Sequence, residues 1–146
     1  MVKVIRVVGA VIEHQGRILA CRRHPDKAEG GKWEFPGGKV EPGETPQQAL
    51  SREISEELDI HDAKVRDLVT RATTQSGDKR IDLACYQVDV TTLPSSSTDH
   101  DSMKWCTREQ LSTLNWARAD LPTVEKLTTR AATHESYSDR SKDAQR

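Results

Sequence analysis

Between Thr45 and Leu58 the chain reads TPQQALSREISEEL, a stretch whose residues agree on a helix but not on its surroundings. Thr45 is a favoured N-cap, Pro46 suits the first helical position, and Gln48 completes a Thr-x-x-Gln capping box. At ~100° of rotation per residue, Leu50, Ile54 and Leu58 form one apolar stripe able to dock on a core. Glu53, Glu56 and Glu57 collect on a neighbouring face, centred roughly 110° away. Their spacing crowds three like charges, and each pair costs an isolated helix roughly 0.2–0.5 kcal/mol. A cation held among them would recover that loss. An all-oxygen set with no nearby Cys or His suits a hard divalent ion, Mg2+ with Mn2+ as a substitute, rather than zinc. Mg2+ commonly joins a few carboxylates to substrate phosphates, so the cluster implies a phosphorylated substrate. A solvated acidic helix face is the alternative for such a cluster taken alone.

The remaining sequence supplies strands and turns around this helix. Residues 2–12 are rich in β-branched side chains and predict a buried strand. His14-Gln15-Gly16 predicts a turn, Arg17 to Cys21 a second strand ending near Arg22, Arg23 and His24, and residues 25–31 a loop. Trp33-Glu34-Phe35 predicts a short strand feeding a glycine turn. Beyond the helix, Val65–Thr73 and Ile81–Val90 predict a hairpin around Gly77-Asp78. A polar loop over 91–102 leads to a short strand, Met103–Cys106, and a small helix that Thr107 and Gln110 cap. Residues 115–119 look irregular. Asp120 then caps a last helix with Leu121, Val124, Leu127 and Ala131 on one face. The interleaving of strands and two principal helices predicts an α/β fold, a mixed β-sheet between helices. One domain over 1–133 and a polar, disordered tail over 134–146 are expected.

Composition excludes several classes. A net charge of −1 over 146 residues gives no electrostatic case for a nucleic-acid polymer or an anionic membrane. No apolar run reaches membrane-spanning length, and no signal-peptide pattern opens the chain. Cys21, Cys85 and Cys106 are odd in number and widely spaced, which argues against a disulfide framework or zinc site and suits the cytoplasm.

Gly38, five residues, Glu44, seven residues, then Arg52-Glu53-Ile54-Ser55-Glu56-Glu57, one residue, Asp59-Ile60 resembles the signature of the Nudix hydrolases. Asp59 stands where that family usually has Gly, a position just past the helix end that favours a left-handed backbone. Asp adopts that conformation more readily than most residues. The resemblance covers roughly residues 3–130 and implies an α/β/α sandwich. It also implies that Glu53, Glu56 and Glu57 bind metal together with the carbonyl of Gly37. Asp99, six residues before Trp105, matches a place where MutT-type members carry an acidic metal ligand or base. Glu53 and Asp99 are both candidates to activate water, and a solvated loop is the other reading of Asp99. Arg52 pairs with Glu56 or orients the carboxylates. Glu44 either binds metal through water or places charge at the helix N-terminus.

Trp33 to Lys39 (WEFPGGK) also resembles the MutT type, in which this segment lines the nucleotide pocket. Glu34, Phe35, Pro36, Gly37, Gly38 and Lys39 are therefore candidate substrate contacts, and Trp33 a packing residue. Arg23, at a strand end, and Lys39 could contact phosphate. The segment Trp116 to Pro122 (WARADLP) resembles the one that carries an Asn or Asp to the base edge, so Asp120 is both a candidate base contact and a candidate helix cap.

The resemblance implies Mg2+-dependent hydrolysis of a nucleoside triphosphate to the monophosphate and pyrophosphate, clearing 8-oxo-dGTP or cytosine nucleotides such as CTP or 5-methyl-dCTP from the pool. WEFPGGK and WARADLP look closer to the cytosine branch. ADP-ribose, sugar nucleotides or dinucleoside polyphosphates are the alternative substrates, and an inactive nucleotide- or protein-binding module is the alternative class. A monomer or small homo-oligomer is expected.

Overall fold

The computed structural model describes residues 3–129. Its sheet is assembled on β1 (Lys3–His14), whose β-branched run pairs along both edges. β1 runs parallel to β6 (Lys79–Asp89) from Lys3↔Lys79 to Ile12↔Val88. On its other edge β4 (Gly37–Lys39) pairs antiparallel with Val7 to Gly9, and β2 (Arg17–Arg23) turns back from Glu13 and His14. β2 carries β3 (Trp33–Glu34) and β7 (His100–Thr107), both antiparallel. β5 (Lys64–Ser76) closes a hairpin with β6 at the far edge.

Strand alternation sorts the apolar residues into two cores. Val8, Ala10 and Ile12 of β1, Leu19 and Cys21 of β2, and Ala84, Tyr86 and Val88 of β6 face α1 (Pro46–Leu58). Val11, Ile18, Ala20, Leu83 and Cys85 face the opposite side, where Trp116, Leu111 of α2 (Arg108–Leu111), and Val124 and Leu127 of α3 (121–129) cover them. The result is an α/β fold with helices on both faces of a mixed sheet.

α1 forms as its sequence dictates. Thr45 Oγ1 accepts from the Gln48 amide at 3.1 Å, and Gln48 Oε1 accepts from the Thr45 amide at 2.9 Å. Leu50, Ile54 and Leu58 are buried, contributing roughly 1.5–3 kcal/mol each. Asp59 ends the helix in the left-handed region at φ 56, ψ 40.

The structure differs from the sequence reading in several places. The glycine turn is strand β4, because Gly37 lies so close to β1 that a Cβ would stand 1.9 Å from the Val8 carbonyl oxygen. His14 belongs to β1, and only Gln15 and Gly16 turn. The strand placed at Met103 begins at His100, which pairs with Arg23 across a bulge. Leu121 is 47% exposed, and the buried stripe runs through Asp120, Thr123, Val124 and Leu127 instead. A 3-10 turn over Arg118–Asp120 precedes α3, and Asp120 is buried there rather than capping the helix: its Oδ1 accepts from the Phe35 amide. Residues 115–117 are ordered by pairing with Trp33, which donates to the Asn115 carbonyl and accepts from Ala117. Ala131 and the 134–146 segment lie outside the described residues. No helix among those described is long and apolar enough to cross a membrane.

Candidate active site

The three glutamates of α1 do not share one environment. They descend from solvent into the core: Glu56 is exposed, Glu53 half-buried and Glu57 3% exposed. Glu57 lies one turn beyond Ile54 and two beyond Leu50 on the same side of the helix, so its carboxyl reaches the rim of the core. Thr98 and Asp99 form the turn entering β7, and the Thr98 amide donates to the Glu57 carbonyl at 3.0 Å. That bond brings Asp99 beside the helix. Carboxylate oxygens of Glu53, Glu57 and Asp99 lie within 4.8 Å of one another.

Both carboxylate oxygens of Glu57 are buried without a hydrogen-bond donor among the described residues. Burial, reinforced by Glu53, Asp99 and Glu34, pushes its carboxyl far above the usual range, to about 10. Two orphaned oxygens facing two further carboxylates are unfavourable unless a proton or a cation is supplied. As a donor set, the trio fits a hard divalent ion, and it contains no Cys or His that would favour zinc. Glu56 stands apart from the trio and accepts from Arg52 Nη1 at 3.3 Å. Gly38 leaves room for the cluster, since a Cβ there would stand 2.4 Å from the Glu53 carboxyl carbon.

Arg52 organises this end of α1. Its guanidinium donates to both oxygens of Glu44, to Glu53, to Glu56 and to the Lys39 carbonyl. Glu44 is thereby held below the usual carboxylate range, at about 2, chiefly by Arg52 and also by the Glu41 amide. Its carboxylate braces Arg52, a role distinct from both readings offered for it.

A cleft of about 510 Å3 runs from Glu53, Glu57 and Asp99 to Asp120. Gly37, Gly38 and Lys39 of β4 form part of its lining, as do Arg23, Glu34 and Phe35. Pro36 lies behind the wall, fully buried, its carbonyl accepting from Ala10. Phe35 stacks on Trp116 with ring centroids 4.8 Å apart, and Trp33 packs against the core. Burial raises the Asp120 carboxyl well above its ordinary value; nearby Glu34 adds to the rise and the Phe35 amide opposes it. The Glu34 carboxylate is bonded on both sides, to Arg23 and to His100, which together hold its pKa down against burial.

Sequence reasoning missed three groups on this wall: Lys27, Lys79 and His100. The sequence drew no role for His100, yet it is buried against Glu34 and Ser97. Its place directly after Asp99 and before an apolar strand was the available signal. The three cysteines are free and buried, and burial raises all three thiols, Cys85 to about 12, so none resembles a nucleophile.

The NUDIX domain model matches residues 3–127. The CTP pyrophosphohydrolase of Escherichia coli K12 is 37% identical over 123 residues, covering 84% of this chain and 90% of that protein. A putative 8-oxo-dGTP diphosphatase 2 of Mycobacterium tuberculosis H37Rv is 34% identical, covering 82% of this chain and 84% of that one. The solution structure of a MutT protein from methicillin-resistant Staphylococcus aureus 252 superposes with a TM-score of 0.72 at 40% identity, covering 89% of this chain and 99% of that chain. With its signature helix, its buried carboxylates and a match spanning nearly all described residues, the chain belongs to the Nudix family of hydrolases.

Proposed function

We propose that this chain hydrolyses nucleoside triphosphates to the monophosphate and pyrophosphate with Mg2+, or Mn2+ in its place, and that cytosine nucleotides such as CTP and 5-methyl-dCTP precede 8-oxo-dGTP as substrates. The observation that carries the reading is the orphaned Glu57 carboxyl beside Glu53 and Asp99, at one end of a cleft whose other end is the buried Asp120.

Glu53, Glu57 and Asp99 would hold the cation, with Glu56 and the Gly37 carbonyl as further ligands. The bound ion would offset phosphate charge and acidify a water. Glu53 or Asp99 takes the proton from the attacking water, since both border Glu57 in the cleft. Arg23 and Lys39 meet the phosphates from the cleft wall. Arg52 orients Glu53 and Glu56 rather than touching substrate.

Asp120 suits a base edge that sets an acceptor beside a donor. A neutral carboxyl both donates and accepts, which matches the N3 acceptor and N4 amine of cytosine and equally an acceptor and donor of guanine. The 37% identity to a protein named CTP pyrophosphohydrolase is what puts cytosine first. The assignment is tested by kcat/KM for CTP, 5-methyl-dCTP, 8-oxo-dGTP and ADP-ribose with Mg2+, products being identified by mass. Pyrophosphate release with the cytosine nucleotides foremost is expected. Preference for ADP-ribose, or no turnover across the panel, would overturn it.

A further inference from the structure

One wall of the cleft holds a connected set of side chains that neither the carboxylate trio nor the base edge employs. Arg23 Nη1 donates to Glu34 Oε1 at 2.7 Å. Glu34 Oε2 lies 2.7 Å from His100 Nε2, and His100 Nδ1 lies 2.7 Å from Ser97 Oγ. Ser97 Oγ in turn accepts from the Asp99 amide at 3.4 Å. The His100 side chain is 1% exposed, so neither ring nitrogen is satisfied by bulk water.

Chemistry fixes the direction of donation at the Glu34 end of this chain. Arg can only donate, and an ionised Glu34 can only accept, so His100 Nε2 carries the hydrogen facing it. His100 Nδ1 and the Ser97 hydroxyl share the next hydrogen bond, and the Ser97 oxygen accepts from the Asp99 amide. Three separate elements are joined: the end of β2, strand β3, and the turn entering β7. Arg23 Nε donates to the Ala28 carbonyl at 2.7 Å, and its Nη2 is left without a partner among the described residues, on the cleft wall.

We propose that His100 is a positioning residue that, through Ser97 and Glu34, ties the turn carrying Asp99 to Arg23, so that the free Nη2 of Arg23 meets the phosphates of a substrate held at the carboxylate trio. This rests on the reading of the cleft as a polyphosphate site. His100 itself is neither a base nor a ligand here: both of its nitrogens are engaged, and Glu57 Oε1 is 3.9 Å from Nδ1. Its contribution is distance and orientation between two groups that it does not resemble chemically.

The test is a double-mutant cycle on the full chain, reading the Kd of inorganic tripolyphosphate in the presence of Mn2+, with melting temperature measured alongside. His100→Asn keeps a polar group near Ser97 but cannot reach Glu34. In the wild-type background Arg23→Gln should weaken binding about tenfold, and in the His100→Asn background less than about twofold. Should His100→Asn fail to fold, Glu34→Gln at a partly exposed site serves, because one amide cannot accept from both Arg23 and His100. A merely structural His100 would lower the melting temperature and leave the cost of Arg23→Gln unchanged; an equal cost in both backgrounds overturns the proposal. Absence of tripolyphosphate binding by the wild type would overturn it as well. Intact coupling in a protein that hydrolyses no nucleotide would support the tie and sink the nucleotide reading alone.

Discussion

Glu44 accepts from Arg52 through both carboxylate oxygens, from Nε at 2.6 Å and from Nη2 at 3.0 Å. This two-point grip fixes the plane of the guanidinium, and its remaining donors then fall on Glu53, Glu56 and the Lys39 carbonyl. A residue that precedes the helix thus sets the carboxylates on it. Lys cannot reproduce the fork, since its ammonium is a single point of charge. Arg52→Lys is therefore expected to lower kcat by about tenfold or more while circular dichroism stays native. Glu44→Gln, which keeps one acceptor, should cost less. Equal activity of Arg52→Lys and wild type in steady-state assays would show that the grip has no bearing on turnover.

The glycines of β4 separate stability from activity. A Cβ at Gly37 would strike the Val8 carbonyl, a backbone group that cannot yield without parting β4 from β1. At Gly38 the obstacle is the carboxylate of Glu53, which can swing aside. Gly37→Ala should lower the melting temperature sharply. Gly38→Ala should melt within a few degrees of wild type yet lose about tenfold or more in kcat, because Glu53 leaves the trio. Thermal melts and assays on the two variants check the contrast.

Burial of Glu57 makes the metal-free protein sensitive to pH. Its folded pKa lies far above the unfolded value, so the folded state retains a proton that the unfolded chain gives up. The neutral carboxyl carries no penalty below the unfolded value of 4.5, and stability falls as pH rises from there toward about 10. Melting of protein in chelator should therefore occur at lower temperature at pH 8 than at pH 5.5. Glu57→Gln removes the proton dependence and should stabilise the metal-free protein at pH 8 by roughly 1–3 kcal/mol. The same variant is expected to lose about a hundredfold or more in kcat. A pH-independent melting temperature in wild type would contradict the burial argument.

Substitution of Asp120, the proposed base contact, distinguishes a neutral from an ionised carboxyl. Asn offers one donor and one acceptor, as a protonated Asp does. Asp120→Asn should keep kcat/KM for CTP within about fivefold, whereas Asp120→Ala should lose about tenfold or more. An Asn variant as poor as the Ala variant would show that Asp120 works as an anion.

The parts of this molecule that the sequence disclosed are those governed by neighbours along the chain. The Thr45–Gln48 box, the Leu50, Ile54 and Leu58 stripe and the left-handed Asp59 all depend on residues within a few positions of each other. What escaped depends on partners far away. Glu57 and Glu56 are adjacent in sequence, and it is the side of α1 nearest Leu50, met by Asp99 in the turn before β7, that separates the buried one from the exposed one. Asp120 looked like a helix cap because the Phe35 amide that claims it lies 85 residues earlier. Leu121 was placed on the buried face because the true stripe includes the polar Thr123, which faces Thr70 and Cys85. Gly37 read as a turn because a strand of glycines carries no β-branched signal.

The site stands or falls on whether Glu53, Glu57 and Asp99 close around a divalent cation. Calorimetric titration of Mn2+ into the metal-free protein at pH 7.5, repeated in buffers of different ionisation enthalpy, counts the protons that leave on binding. Release of about one proton per ion, abolished in Glu57→Gln, is the expected result, because Glu57 must surrender its proton to become a ligand. Tight binding with no proton released, or binding unchanged in Glu57→Gln, would place the ion elsewhere and contradict the site.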